Sequence, residues 1–268
     1  MSLIASITDF AGLVTLTFGT FLIGLVIEKL SPAEAGQKLA DLRLNLGYSV
    51  ISNLFLYVVG PALTASTALL LNWAGAGLIA LPDAGWPLLG SITIYLLAMD
   101  FLDYLFHRAQ HSWPLLWAMH SFHHSDRTMN ITTTQRNFWL EPVLKTLFLF
   151  PVVPMVFQVP APAIAAFTLC TYIRLFSHMN LNWSLGPFWV VIIGPQFHRI
   201  HHSILPEHRD KNFAPLFPIF DILFRTHFRP RPGEFPPTGL DTGEAPESLA
   251  TALIWPWRNS LRTSHRAV

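Results

Sequence analysis

Long apolar runs separated by short polar islands set the pattern of this chain. Phe10 to Ile27 carries no charge over about 18 positions, about the minimum for one membrane crossing, and it closes on Glu28 and Lys29. Leu44 to Pro82 is also uncharged, which predicts a second span near Tyr48 to Leu71 and an apolar loop around Asn72 to Gly77. Gly85 to Met99 predicts a third span that runs without a break signal into Asp100 to His107. Two further apolar arms, Val143 to Gln158 and Pro162 to Ser177, meet at Val159-Pro160-Ala161-Pro162, where proline interrupts helix continuation. A hairpin that enters the membrane and returns fits these arms as well as two complete crossings, and either puts both ends on one side.

The islands have their own signals. Ser31-Pro32-Ala33-Glu34 has the form of a helix start and predicts a short polar helix through Arg43 at the interface. Phe188 to Ile193 is too short to span and is expected as an interfacial or buried piece. After Arg229 come Pro230, Pro232, Pro236 and Pro237, then a short amphipathic segment, Ser248 to Trp257, expected as a cytoplasmic extension with surface anchoring. The first apolar stretch lacks a basic leader and a cleavage site and is expected as a retained anchor. The fold class expected is all-α: polytopic membrane helices capped by a cytoplasmic, helical, histidine-rich di-metal domain. The expected division is 1–99 as the transmembrane region, 100–229 as the catalytic domain and 230–268 as the tail.

Composition sharpens this picture. The 268 residues are 51% hydrophobic and only 12% charged, about half the charge of a soluble domain. A net charge of +1 with scattered Lys and Arg gives no nucleic-acid face. Cys170 is the only cysteine and sits in an apolar run, so neither a disulfide framework nor a thiolate cage is available. Lys29, Lys38 and Arg43 follow the first span, and Arg108, Arg127, Arg136 and Lys145 follow the third, whereas the loop from Asn72 to Trp86 has no Lys or Arg. By the positive-inside bias the N-terminus is expected outside and all the histidine clusters together on the cytoplasmic side. A bacterial inner membrane is the expected location, with the endoplasmic reticulum as the alternative.

The chemistry lies in the histidines, of which there are twelve. Eight fall in three runs: His107 and His111; His120, His123 and His124; His198, His201 and His202. Residues four apart share a helix face with Cβ atoms about 5–6 Å apart, so His107 and His111 can reach one metal, and each triplet offers up to three ligands. Two triplets and a pair exceed the needs of one ion, which implies a dinuclear site of unknown partition. Imidazole suits iron, zinc, copper or nickel. Asp103, one turn before His107, is a candidate to accept a ring N–H from a ligand, weighed evenly against an ordinary polar contact. His208 and His265 are expected to be structural, and Trp113, Trp117, Phe122 and Phe197 to be packing.

This ordered set resembles the fatty acid hydroxylase, or sterol desaturase, superfamily of membrane di-iron oxygenases, over about Asp100 to Pro230. Supporting pieces are Asn130 and Thr133 after His123-His124-Ser125, then Phe176-Ser177-His178-Met179-Asn180, and Asp221 to Thr226 near the end. The resemblance makes His178 a ninth candidate ligand. Two departures stand out: Phe138 occupies a position usually held by histidine, and Arg225-Thr226-His227 replaces the usual Gly-Thr-Tyr. His227 is therefore expected to be a bystander more than a site-edge residue.

What the resemblance implies is two iron ions, with zinc possible as isolated, and O2 as co-substrate in the hydroxylation of a fatty acyl or sterol-like lipid. Desaturation is the near alternative. No haem or flavin motif is present, so electrons are expected from a separate cytochrome b5-, ferredoxin- or reductase-like donor. A histidine-rich metal transporter or a non-catalytic zinc-binding relative are the readings from other classes. A transporter would place its ligands at mid-membrane depth, whereas these clusters follow the ends of spans.

Overall fold

A computed structural model describes residues 3–259. Its helices are α1 (Leu3–Leu30), α2 (Leu39–Trp73), α3 (Pro87–Ser112), α4 (Pro114–His124), α5 (Leu140–Leu144), α6 (Val152–Val156), α7 (Ala161–His178), α8 (Pro195–His201), α9 (Ile219–Leu223), α10 (Leu249–Leu253) and α11 (Trp255–Asn259). Segments of α1, α2 and α3 (Ile7–Leu30, Leu42–Trp73 and Pro87–Ser112) are long and apolar enough to cross a membrane. At about 1.5 Å per residue, α3 is about 39 Å long, the thickness of a bilayer with its interfaces. Exposed Trp73 and Trp86 mark one end of these helices, and exposed Trp113 and Trp183 the other, the levels at which indole rings settle in membranes.

The packing is inverted relative to a soluble domain. Leu22, Ile23, Val58 and Leu69 are exposed along α1 and α2, while the buried set is rich in His, Asp, Asn, Ser and Thr. In lipid the apolar side chains need no cover, and the polar groups must find partners inside.

The strand pair answers the question left open by the two apolar arms. Ile79–Ala80 (β1), in the loop between α2 and α3, pairs in parallel with Phe157–Gln158 (β2) at the hairpin tip, with Ile79 opposite Phe157. The hairpin formed by α5, α6 and α7 therefore reaches the level of the distal loop and returns.

Two expectations are corrected. Residues 31–38 are not helical, and α2 starts only at Leu39. Tertiary bonds take that backbone instead: Glu34 N–H donates to Asn180 Oδ1 (2.9 Å), Ala33 N–H to Asn180 O (3.3 Å), and the Glu34 carboxylate pairs with Arg199 (2.8 Å). The amphipathic segment Ser248 to Trp257, expected to anchor at a surface, is packed against the protein instead. Ala252 and Trp255 are buried with Tyr48, Met119, Phe122 and Phe138, and Trp255 Nε1 donates to Ser121 Oγ at 2.9 Å. An amphipathic pattern reads the same whether its apolar face meets lipid or protein. His265 lies outside the described residues.

Candidate metal centre

Four helices meet at the end of the bundle opposite the strand pair. The C-terminal turns of α3 carry His107 and His111; α4 carries His120, His123 and His124; α7 ends at His178; α8 and its cap carry His198, His201 and His202. Prolines at the starts of α4, α7 and α8 suit the first helical turn, where no N–H is needed.

These nine side chains fall into two groups whose ligand atoms all lie within 4.8 Å of one another. One holds His107, His111, His120, His124 and His201; the other holds His123, His178, His198 and His202. Each triplet is divided. On a helix, residue i+4 lies about 40° from residue i and residue i+3 about 60° to the other side. His120 and His124 thus face one group while His123 turns to the other, and His198 and His202 face the second while His201 turns to the first. The groups abut, with the rings of His123 and His124 5.7 Å apart.

Outer contacts orient the rings. His107 Nδ1 lies 2.7 Å from the Phe213 carbonyl, His201 Nδ1 2.8 Å from Lys211 O, and His178 Nδ1 2.7 Å from Arg174 O. A carbonyl only accepts, so each Nδ1 carries the proton and each Nε2 presents its lone pair inward. His120 Nδ1 meets the Glu141 carboxylate at 3.2 Å, and His111 Nδ1 meets Asp210 at 3.3 Å. Gln110 Nε2 holds the same Glu141 oxygen at 2.5 Å.

The donor set fits a cation. Nε2 of His107, His120 and His201 is buried without any hydrogen-bond partner. In the second group, His178 Nε2 lies 3.1 Å from His123 Nε2 and 2.9 Å from His198 Nε2, with His198 Nε2 3.2 Å from His202 Nε2. Buried lone pairs without a partner in the first group, and inward ring nitrogens crowded this closely in the second, are costly unless a shared ion takes them up. Burial holds His120, His123, His124, His198, His201 and His202 well below the usual imidazole value, which keeps them in the neutral form that binds metal.

The surroundings fix these helices. Asp221 accepts from the amides of Phe213 and Ala214 (2.9 and 2.7 Å) and from Thr226 (2.7 Å), which sets the loop whose carbonyl anchors His107. Glu28, at the end of α1, accepts from the amides of Ile131 and Asn180 (2.8 and 3.0 Å) and so ties α1 beside His178. Behind α4, Asp126 accepts from Asn45 (2.8 Å) and Thr133 (2.7 Å); burial alone would raise it, but Arg136 and these donors hold it below its usual range. Gly24 permits the close approach of α1, since a Cβ there would collide with the side chain of Ile131.

Asp103 is not on a ring nitrogen. Its carboxylate lies between Lys145 Nζ (2.9 Å) and the Arg174 guanidinium, which outcompete a neutral imidazole for it. The carboxylates that touch candidate ligands are Glu141 and Asp210, neither singled out by sequence. Arg174 was also missed, although a charge inside an apolar arm is a recognisable signal. His208 is buried against Ser203 Oγ (2.9 Å) and belongs to neither group. His227 is exposed and stacked on Trp189, and Phe138 is buried in an apolar cluster.

A cavity of about 430 Å³ joins the two groups to the membrane-facing wall. His107, His120, His123, His178 and His198 line its inner end, and Leu13, Leu16 and Phe21 of α1 form its apolar side.

A family model described as fatty acid hydroxylase matches residues 92–226. An alkylglycerol monooxygenase of Xenopus tropicalis is 32% identical over 156 residues, 58% of this chain and 33% of that protein. An ornithine lipid hydroxylase of Rhizobium tropici is 29% identical over 153 residues, covering 56% of this chain and 46% of its own length. A very-long-chain aldehyde decarbonylase of Oryza sativa subsp. japonica is 27% identical over 197 residues, or 69% and 29% of the two chains. The chain thus spans less than half the length of these curated relatives. No solved structure matches it.

Proposed function

The chain belongs to the fatty acid hydroxylase family, and on that premise we propose that it is a membrane oxygenase that hydroxylates an unactivated C–H bond of a lipid. The reading rests on one observation: nine histidines, in two abutting groups, line or back a cavity walled by a membrane helix. Two iron ions are the occupants proposed, one per group. When bound, they supply the two-electron activation of O2, for an overall balance of R–H, O2, two electrons and two protons giving R–OH and water. The electrons come from a separate donor.

The chain's own contribution is positional. Neutral imidazoles would hold the ions, and carbonyls of Phe213, Lys211 and Arg174 fix which nitrogen each of three rings presents. Glu141 takes the outer N–H of His120, an arrangement that orients a ligand and strengthens its basicity. The apolar face of α1 excludes water and guides an alkyl chain toward the histidines. We place the centre at the cytoplasmic face of the membrane, on the distribution of Lys and Arg.

The test is reconstitution. Purified protein loaded with iron, supplied with an electron donor, O2 and a membrane lipid extract, is expected to yield an alcohol whose oxygen derives from O2. An alkene product would reassign the reaction to desaturation, and no O2-dependent product would overturn the enzyme reading.

A further inference from the structure

Three charged side chains lie on the membrane side of the histidine layer. Asp103 precedes His107 by one turn of α3, Arg174 precedes His178 by one turn of α7, and Lys145 follows Glu141 by one turn of the hairpin's first arm. All three line the cavity, Asp103 and Arg174 about 6 Å along their helix axes from candidate ligands and Lys145 about 6 Å from Glu141, which contacts His120. Charge at that depth is expensive and marks function more often than packing.

The local backbone is unusual at Lys145. Lys145–Leu149 forms a π-turn in which the Phe150 amide donates to the Lys145 carbonyl at 2.8 Å. Such turns are rare and gather at functional sites, where they re-aim a side chain.

The charge balance leaves room for a ligand. Lys145 and Arg174 share a single carboxylate, that of Asp103. Asp100 accepts from the Phe217 amide (3.0 Å) and does not line the cavity; Glu141 does line it, near Lys145, but its carboxylate is engaged by Gln110 and His120. Arg174 Nε is buried with no partner. Yet the Lys145 and Arg174 side chains are 22% and 26% exposed, and what they face is the cavity. Two cations beside an apolar wall match an amphiphile with an anionic end.

We propose that Lys145 and Arg174 form an anion-binding subsite that receives the carboxylate or phosphate head of the lipid, one helical turn from the histidines. The alkyl chain then lies along Leu13, Leu16 and Phe21, and oxidation falls on a carbon a few bonds from the head. Asp103 positions the two cations. This deepens the proposed hydroxylase function and rests on it for the word substrate, but binding can be read without turnover.

The experiment uses the metal-loaded full chain in nanodiscs of phosphatidylcholine, titrated with spin-labelled stearate and with its uncharged methyl ester. The immobilised fraction of each probe gives its affinity. The wild type is expected to hold the acid at least about tenfold more tightly than the ester, equivalent to about 1.4 kcal/mol. Lys145→Gln is expected to abolish that preference and Lys145→Arg to retain it. Lys145→Gln with Arg174→Gln and Asp103→Asn, which removes both cations together with the carboxylate they share and so leaves no unpaired charge to cause misfolding, should also abolish it. Displacement of the bound probe at a lower concentration by hexadecyl phosphate than by palmitate, its carboxylate counterpart of equal chain length, would assign the head as phosphate; the reverse would assign a carboxylate. Equal binding of acid and ester by the wild type, or an undiminished preference in Lys145→Gln, would overturn the subsite. Failure of the hydroxylase reading is distinguishable, since it would remove turnover and leave the binding preference intact.

Discussion

The two histidine groups are built differently. In the first, His107, His111, His120 and His201 each have an outer Nδ1 contact, to Phe213 O, Asp210, Glu141 and Lys211 O. In the second, only His178 has one, to Arg174 O, while Nδ1 of His123, His198 and His202 is buried without a partner. The first group is oriented from outside by hydrogen bonds, and the second by packing and by its own members. Outer partners are what hold a ligand's tautomer and angle when the ion leaves. On the proposed function, the first group would be the preformed site, and the second would depend on its ion for order.

The comparison breaks most sharply at the ligands. His198→Ala is expected to abolish turnover and bring metal content from two ions per chain toward one, with the first site still filled. His201→Ala should abolish turnover by emptying the other. Metal analysis of both variants checks this, and loss of both ions from each would merge the groups into one cooperative site.

A second, smaller effect is expected on stability. Six of the histidines are kept neutral by burial, below the ordinary value of 6.5. The unfolded chain takes up protons below that pH and the folded chain does not, so stability is full above 6.5 and is lost as pH falls toward the folded values. Thermal melts of metal-free protein should drop steadily between about pH 7 and pH 5, and the loaded protein should resist that drop until acid releases the ions. A flat profile for the metal-free protein would contradict the burial of neutral imidazoles.

Outer contacts come next. Glu141→Gln is expected to lower metal affinity at the first site by about 10- to 100-fold and leave the second unchanged. Equal loss at both would show that Glu141 supports the cap as a whole. The smallest effect belongs to Asp210→Asn, because Asp210 is 59% exposed and water can replace its contact with His111. A change of no more than a few-fold in first-site affinity is expected.

Much of this was legible in the chain, for physical reasons that differ by element. The three candidate spans are long and apolar, and nothing in their surroundings can mask that. The histidine runs carried helical spacing, and the structure gathers all nine candidates at one end of the bundle. The division of each triplet is implicit in the same spacing, since the i+3 and i+4 positions diverge around the helix. What decides that division is that α4 and α8 each lie between two groups, a tertiary fact. Residues 31–38 misled because Ser31-Pro32-Ala33-Glu34 has the local form of a cap, while contacts to Asn180 and Arg199 come from far along the chain. Asp103 misled in the same way: its helical neighbour His107 was visible, and its partners Lys145 and Arg174 were distant in sequence.

The division of the histidines is tested most directly by locating the ions. Anomalous density at the iron edge, from the metal-loaded protein, should show two peaks. One is expected among His107, His111, His120, His124 and His201, and the other among His123, His178, His198 and His202. A single peak, or two peaks that each take one intact triplet, would contradict the account.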